Sequence, residues 1–273
     1  MSAPDLPPPP TFDQPKQRPL ALHLHASRVT PEDLRGGVVI VIDAIRASVT
    51  ICKAMHEGAA KIVPVLTADE ARSKAAALHA NPSPPSAPGG GSILLGGERA
   101  GVLIEGFDLD NSPLSYTRER VAGRTIVFTT SNGTAGLLHA RHAARVLVGC
   151  ICNLTSVCNA VKDDPRPVHI LCCGTRGDVS LDDVLAGGAM ARQLLAAGRE
   201  PVTDDSHTLA IAAYDHAMER GMDGLRAAMR GSRGGRNLVR IGLGDDVDYC
   251  SAHDTLPVVP EFFPLRGEIT LLR

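Results

Sequence analysis

The chain has 273 residues, 44% hydrophobic and 21% charged, with a formal net charge of −2. This is the balance of a globular protein, and it excludes a general nucleic-acid or membrane-surface binder, which needs a strongly basic face. Trp is absent and aromatic residues make up 3%, so a core must rest on Val, Ile, Leu and Ala, as in buried parallel strands under Ala-rich helices.

Residues 1–18 hold a run of four prolines and few apolar anchors, and are read as a disordered leader. Residues 19–273 are read as a single α/β domain, with a flexible Pro/Ser/Gly loop at 81–92. Short apolar runs at 20–25, 38–43, 61–65, 93–96, 125–129, 145–149 and 168–172 predict strands. Helical patterns fall at 47–57, 68–79, 134–142, 154–162 and 181–197, with a late pair at 206–220 and 223–230. The alternation predicts an α/β fold, a mostly parallel or mixed central sheet with helices on both faces. An arginine- and glycine-rich stretch at 226–240 reads either as a solvated loop or as an anion-binding segment. Seven cysteines without a zinc-like spacing are expected to be buried, reduced thiols. The start lacks a basic-then-apolar signal, and no apolar run reaches membrane-spanning length, so a cytoplasmic location without membrane partners is expected.

In open α/β sheets ligands gather where strands turn into helices, and four polar clusters occupy such places. The run VVIVI ends in Asp43, followed by Arg46, Ser48 and Thr50. Asp43 can hold a divalent cation and Arg46 an anionic oxygen; equally, Asp43 can cap the helix and pair with Arg46. Twin glycines precede Glu98 and Arg99, letting the backbone approach a ligand, and Asn111, Ser112 and Pro113 look like a capped helix start. The third cluster, Thr129 to Thr134, sets hydroxyls and free amides at a helix start, a natural anion site. In the fourth a strand ends at Cys173 and Gly174, and Ser180 precedes Asp182 and Asp183 in a first helical turn, where the helix dipole favours acids with or without a metal. Arg176 lies too close to Cys173 for a cysteine phosphatase, no P-loop or dinucleotide fingerprint is present, and Asp43 lacks the second acid of a haloacid-dehalogenase phosphatase.

Together the segments VIDAIRASVTI, GGERAGVLIEGFDLDNSP, FTTSNGTAGL, GDVSLDDVLAGG and NLVRIGLGDDVDYCS resemble the 2-phosphosulfolactate phosphatase family. The resemblance implies a three-layer α/β/α fold, Mg²⁺ dependence and hydrolysis of 2-phospho-3-sulfolactate to 3-sulfolactate and phosphate, a step of coenzyme M biosynthesis. It implies active-site places for Asp43, Arg46, Glu98, Asn111, Ser112, Thr130, Asn132, Gly133, Thr134 and Asp183, without fixing each role. The chemistry suggests Asp43, Arg46, Glu98 and Asn132 as catalytic residues. Arg99, Asn111, Ser112, Thr130, Ser131, Gly133, Thr134 and Gly174 are expected to bind substrate, and Asp43 to hold Mg²⁺ with Glu98 or Asp183. The expected partner is a small anionic phosphate ester, and assembly into a homo-oligomer is left open. Two rival readings stand beside it: a phosphatase of the same fold acting on another small acidic ester, or a non-catalytic anion-binding protein.

Overall fold

The computed structural model describes residues 18–80, 92–202 and 204–272. The leader up to residue 17 and the loop at 81–91 lie outside the described residues. Arg18, assigned to the leader, instead donates to the carbonyls of Lys162 and Gly198 at 3.2 and 3.1 Å.

In chain order the first half runs β1 (Pro19–His23), β2 (Val38–Ile42), α1 (Ala47–His56), β3 (Lys61–Pro64), α2 (Ala68–Ala80), β4 (Ile93–Arg99), β5 (Val102–Leu103), α3 (Arg118–Val121), β6 (Thr125–Thr129) and α4 (Gly133–His139). The second half runs β7 (Arg145–Val148), α5 (Leu154–Val161), β8 (Val168–Cys172), α6 (Leu181–Ala196), β9 (Glu200–Pro201), α7 (Ser206–Met218), α8 (Gly221–Gly231), α9 (Arg233–Arg240), α10 (Gly244–Cys250), β10 (Pro260–Phe263) and β11 (Glu268–Leu271). The strands form one sheet in the order β5-β4-β6-β3-β11-β10-β7-β2-β8-β1-β9. β4, β6 and β3 are parallel neighbours, as are β7, β2, β8, β1 and β9. The fold is therefore the expected α/β architecture with a mixed, mostly parallel sheet.

β2 explains why the sheet is built this way. All five of its residues are β-branched and buried, as a strand covered on both faces requires. Two elements differ from the sequence reading. The antiparallel hairpin β10–β11 inserts between β7 and β3 and joins the two parallel sets; Pro260 at its start and Pro264 and Gly267 in its turn hide it as turn-like sequence. The arginine stretch at 226–240 is helical, in α8 and α9, and not a loop. Its glycines lower helix propensity, but here they permit close packing. A β-carbon on Gly235 would stand 2.0 Å from the Met229 carbonyl oxygen. Ser232 caps α9 by accepting from the Gly235 amide at 2.9 Å.

Although four strands separate β6 from β2 in the sheet, the segment after β6 crosses to β2. A β-carbon on Gly133 would meet Ala47 Cβ at 2.6 Å and Asp43 Oδ2 at 2.8 Å, and one on Gly136 would meet Val41 Cγ1 at 3.2 Å. The absence of side chains at these glycines thus brings the polar ends of β2 and β6 together.

Candidate active site

Asp43 follows β2 directly and is 7% exposed. Its Oδ1 lies 3.4 Å from the Ala47 amide, and the Gly133 amide also bonds to the carboxylate. Glu98, near the end of β4, accepts from the Ser131 amide at 2.8 Å through Oε1 and from the Gly101 amide at 2.7 Å through Oε2. It thereby fastens the turn after β6 to the turn after β4. Both acids line a cavity of about 160 Å³, together with Arg46, Asn111, Ser131 and Asn132. Thr175 and Arg176 of the β8–α6 loop also contribute, as do Gly234, Asn237, Leu238 and Arg240 of α9. The volume lies below the ~300–1,000 Å³ of pockets for drug-sized ligands, which suits a small metabolite.

Arg46 does not pair with Asp43. Its Nη1 donates to Asp246 Oδ2 from α10, and its Nη2 to the Gly101 carbonyl at 2.8 Å. The other oxygen of Asp246 accepts from Ser112 Oγ at 2.6 Å. Asp246 carries only a local sequence signal, an acid pair at a helix start, which is ambiguous by itself. Arg176, Asn237 and Arg240 reach the cavity with no local sequence signal that singles them out for it.

Several expected site residues face elsewhere among the described residues. Ser112 serves Asp246 and does not cap the short helix after it. Thr130 and Thr134 bond to one another, with the Thr134 amide donating to Thr130 Oγ1 at 3.3 Å and Thr134 Oγ1 to the Thr130 carbonyl at 3.1 Å. Both side chains are buried, so this is a local cap. Gly133 contributes its amide and the space for Asp43. Arg99 donates to the carbonyl of Leu66 and to Thr129 Oγ1, both at 2.8 Å, and so ties strand ends together. Gly174, at a φ of +72°, gives its amide to Asp183 Oδ2 at 2.8 Å, and Asp183 Oδ1 accepts from the Ala44 amide at 2.7 Å. Asp183 therefore braces the loops after β2 and β8, with both oxygens engaged and without lining the cavity.

The acids crowd one another. Burial, with help from Asp182 and Glu98, pushes the Asp43 carboxyl up to about 7. Burial and the neighbours Asp182 and Asp43 push Asp183 well up, and burial raises Asp182. Such carboxyls favour a compensating cation. Among the described residues no group of three or more His, Cys, Asp or Glu is arranged to hold a metal. Asp43 and Glu98 still fit Mg²⁺, which is commonly held by one or two carboxylates, with waters and substrate phosphate completing its shell. Asn111 supplies a neutral oxygen at the same cavity. Its Oδ1 is buried and has no hydrogen-bond partner among the described residues, an arrangement that costs about 1–3 kcal/mol unless water, ligand or cation meets it. Burial pushes the Cys173 thiol far above its usual value, leaving it protonated and unsuited to attack.

A family model described as 2-phosphosulpholactate phosphatase matches residues 24–263. The chain belongs to the 2-phosphosulfolactate phosphatase family. A relative named probable 2-phosphosulfolactate phosphatase, from Symbiobacterium thermophilum, is 38% identical over 242 residues, covering 88% of this chain and 97% of the relative. The protein of that name from Deinococcus radiodurans is 36% identical, covering 86% of this chain and 91% of its own length. Another, from Clostridium perfringens strain SM101, is 32% identical with 90% and 93% coverage. The 2-phosphosulfolactate phosphatase match thus spans the turns after β2, β4, β6 and β8 as well as α9 and α10. Most of the cavity's lining lies in the segments that carried the resemblance; Thr175, Arg176 and Gly234 lie just outside them.

Proposed function

We propose that this chain hydrolyses 2-phospho-3-sulfolactate to 3-sulfolactate and phosphate, with Mg²⁺ held by Asp43 and Glu98. The observation that carries this reading is the meeting, in one small cavity, of two buried carboxylates with a buried arginine fixed by Asp246. A receptor for anions gains nothing from the carboxylates, whereas a cation-assisted phosphatase needs them. Bound Mg²⁺ would neutralise phosphoryl charge and orient the ester.

The chain's own groups supply the rest. Arg46, held in place before substrate arrives, offers its remaining donors to charge developing on the phosphoryl oxygens, and this preorganisation avoids a reorganisation cost during the reaction. Asn132, whose Oδ1 accepts from the Arg176 amide at 3.3 Å, presents its amide group at the same opening. Ser131 stands beside it with its backbone pinned by Glu98.

The test is release of inorganic phosphate from 2-phospho-3-sulfolactate and from a panel of other small phosphate esters, each with Mg²⁺ and with excess chelator. The expected result is turnover of the sulfolactate ester that needs a divalent cation. Full activity in chelator would remove the cation from the mechanism, and a better ester in the panel would replace the substrate.

A further inference from the structure

Three arginines border the cavity, and they are held differently. Arg46 is 2% exposed and paired with Asp246. Arg176 and Arg240 are exposed, and neither has a carboxylate partner among the described residues. Among the described residues the guanidinium of Arg240 meets Asn237 Oδ1 alone, at 3.5 Å. For Arg176 the backbone is what is fixed: φ is +54°, and its amide donates to Asn132 Oδ1. The two arginines come from separate elements that are tied together. Arg233 of α9 pairs with Asp178 and donates to the Thr175 carbonyl at 3.4 Å, linking α9 to the loop that carries Arg176.

Two like charges at one small opening repel each other, and an anion between them turns that repulsion into attraction. That the two come from different elements narrows the class of anion. A planar carboxylate is satisfied by the fork of one guanidinium. A tetrahedral group with three free oxygens presents them in three directions, and guanidiniums arriving from two elements can each take a different oxygen.

We propose that Arg176 and Arg240 form an outer subsite that takes the substrate's sulfonate, separate from the inner site of Asp43, Glu98 and Arg46 that takes its phosphate. The proposal rests on the phosphatase reading above and assigns these two arginines as specificity determinants. They act on binding and register of the ester, and the chemistry at phosphorus belongs to the inner residues.

The test compares Arg176→Met, Arg240→Met and the corresponding lysine substitutions on three esters: 2-phospho-3-sulfolactate, 2-phospholactate, which lacks the sulfonate, and 2-phosphoethanesulfonate, which lacks the carboxylate. The methionine variants are expected to lose about 10- to 100-fold in kcat/KM on both sulfonate esters, chiefly through KM. The loss on 2-phospholactate is expected to be at least about tenfold smaller, and lysine to restore part of the loss. The inhibition constant of 3-sulfolactate, which carries no phosphate, should rise in parallel. Melting temperatures report whether the exposed substitutions disturb the fold. Equal losses on all three esters, or a loss concentrated on 2-phospholactate, would overturn the subsite while leaving the phosphatase reading intact. A parent protein that turns over neither sulfonate ester would overturn both.

Discussion

Arg46 and Asp246, 200 residues apart in sequence, form an ion pair in which each side chain is 2% exposed. Removing one member of a buried pair leaves an uncompensated charge, which costs about 3–5 kcal/mol. Asp246→Ala is therefore expected to lower unfolding free energy by about that amount, measured by urea denaturation. Asp246→Asn also leaves Arg46 uncompensated, but it keeps the shape and an acceptor for Ser112, so its loss of stability should be smaller than that of Asp246→Ala. The kcat of Asp246→Asn should fall about tenfold or more as Arg46 loses its anchor. Parent-like turnover in a folded Asp246→Asn would mean that Arg46 needs no such anchor.

Asp43→Asn separates capping from catalysis. Asn caps a helix as well as Asp does, so the loss of stability should not exceed ~1 kcal/mol. Replacing a carboxyl crowded by Asp182 and Glu98 with a neutral amide also removes repulsion at neutral pH. Turnover should fall roughly a hundredfold or more, on the scale of other electrostatic site deletions. A variant that melts normally and hydrolyses 2-phospho-3-sulfolactate near the parent rate would sink the proposed role of Asp43.

Gly133 tests the crossing of the β6 turn onto β2. An added β-carbon would stand 2.6 Å from Ala47 Cβ and 2.8 Å from Asp43 Oδ2, so α1 and α4 must move apart or Asp43 must rotate. Gly133→Ala is expected to cost about 1–3 kcal/mol, the usual scale of overpacking. It should also cut kcat by about tenfold or more through displacement of Asp43. Thr134→Val, which removes only a local cap, should cost about 1 kcal/mol with a much smaller effect on kcat. Reversal of this order would mean that the hydroxyl turn, and not the Gly133 contact, serves the site.

The pair His23–His169 makes one contribution to the response to acid, opposite in sign to that of the raised carboxyls of Asp43, Asp182 and Asp183. Their rings stack, with His23 Nε2 3.1 Å from His169 Nδ1. Burial and the neighbouring His23 hold His169 down at about 4, against the pull of Asp33. Burial also lowers His23, opposed by Asp204 and Asp33 and assisted by His139. An unfolded histidine titrates near 6.5, so below that pH the unfolded chain binds protons that the folded chain refuses. The stability from this site is full above about 6.5 and is lost as pH falls towards about 4. Relative to the parent, His169→Gln should gain unfolding free energy as pH falls over that window, measured by urea titrations of both proteins at successive pH values. A difference between the two proteins that stays constant with pH would remove the pair from the acid response.

What could be read locally was the course of the strands and their polar ends. Five β-branched residues in a row can hardly be other than a buried strand, and an acid straight after them must emerge where β2 meets its helix. The same reasoning brought Glu98, Asn111, Ser131 and Asn132 to the site, and all of them line the cavity with Asp43. Local pattern does not say which way a polar group turns once it arrives. Thr130 and Thr134 read as anion donors but close on each other, Asp183 turns to the amides of Ala44 and Gly174, and Arg99 turns to Leu66 and Thr129. Those choices depend on rotamers and on neighbours far away in the chain. The hairpin β10–β11, the α9 wall and the partnership of Asp246 with Arg46 were likewise decided only by tertiary structure. Each depends on packing between segments whose own sequences read as turns, loops or a simple helix start, and the free energy that selects them appears only when the distant surfaces meet.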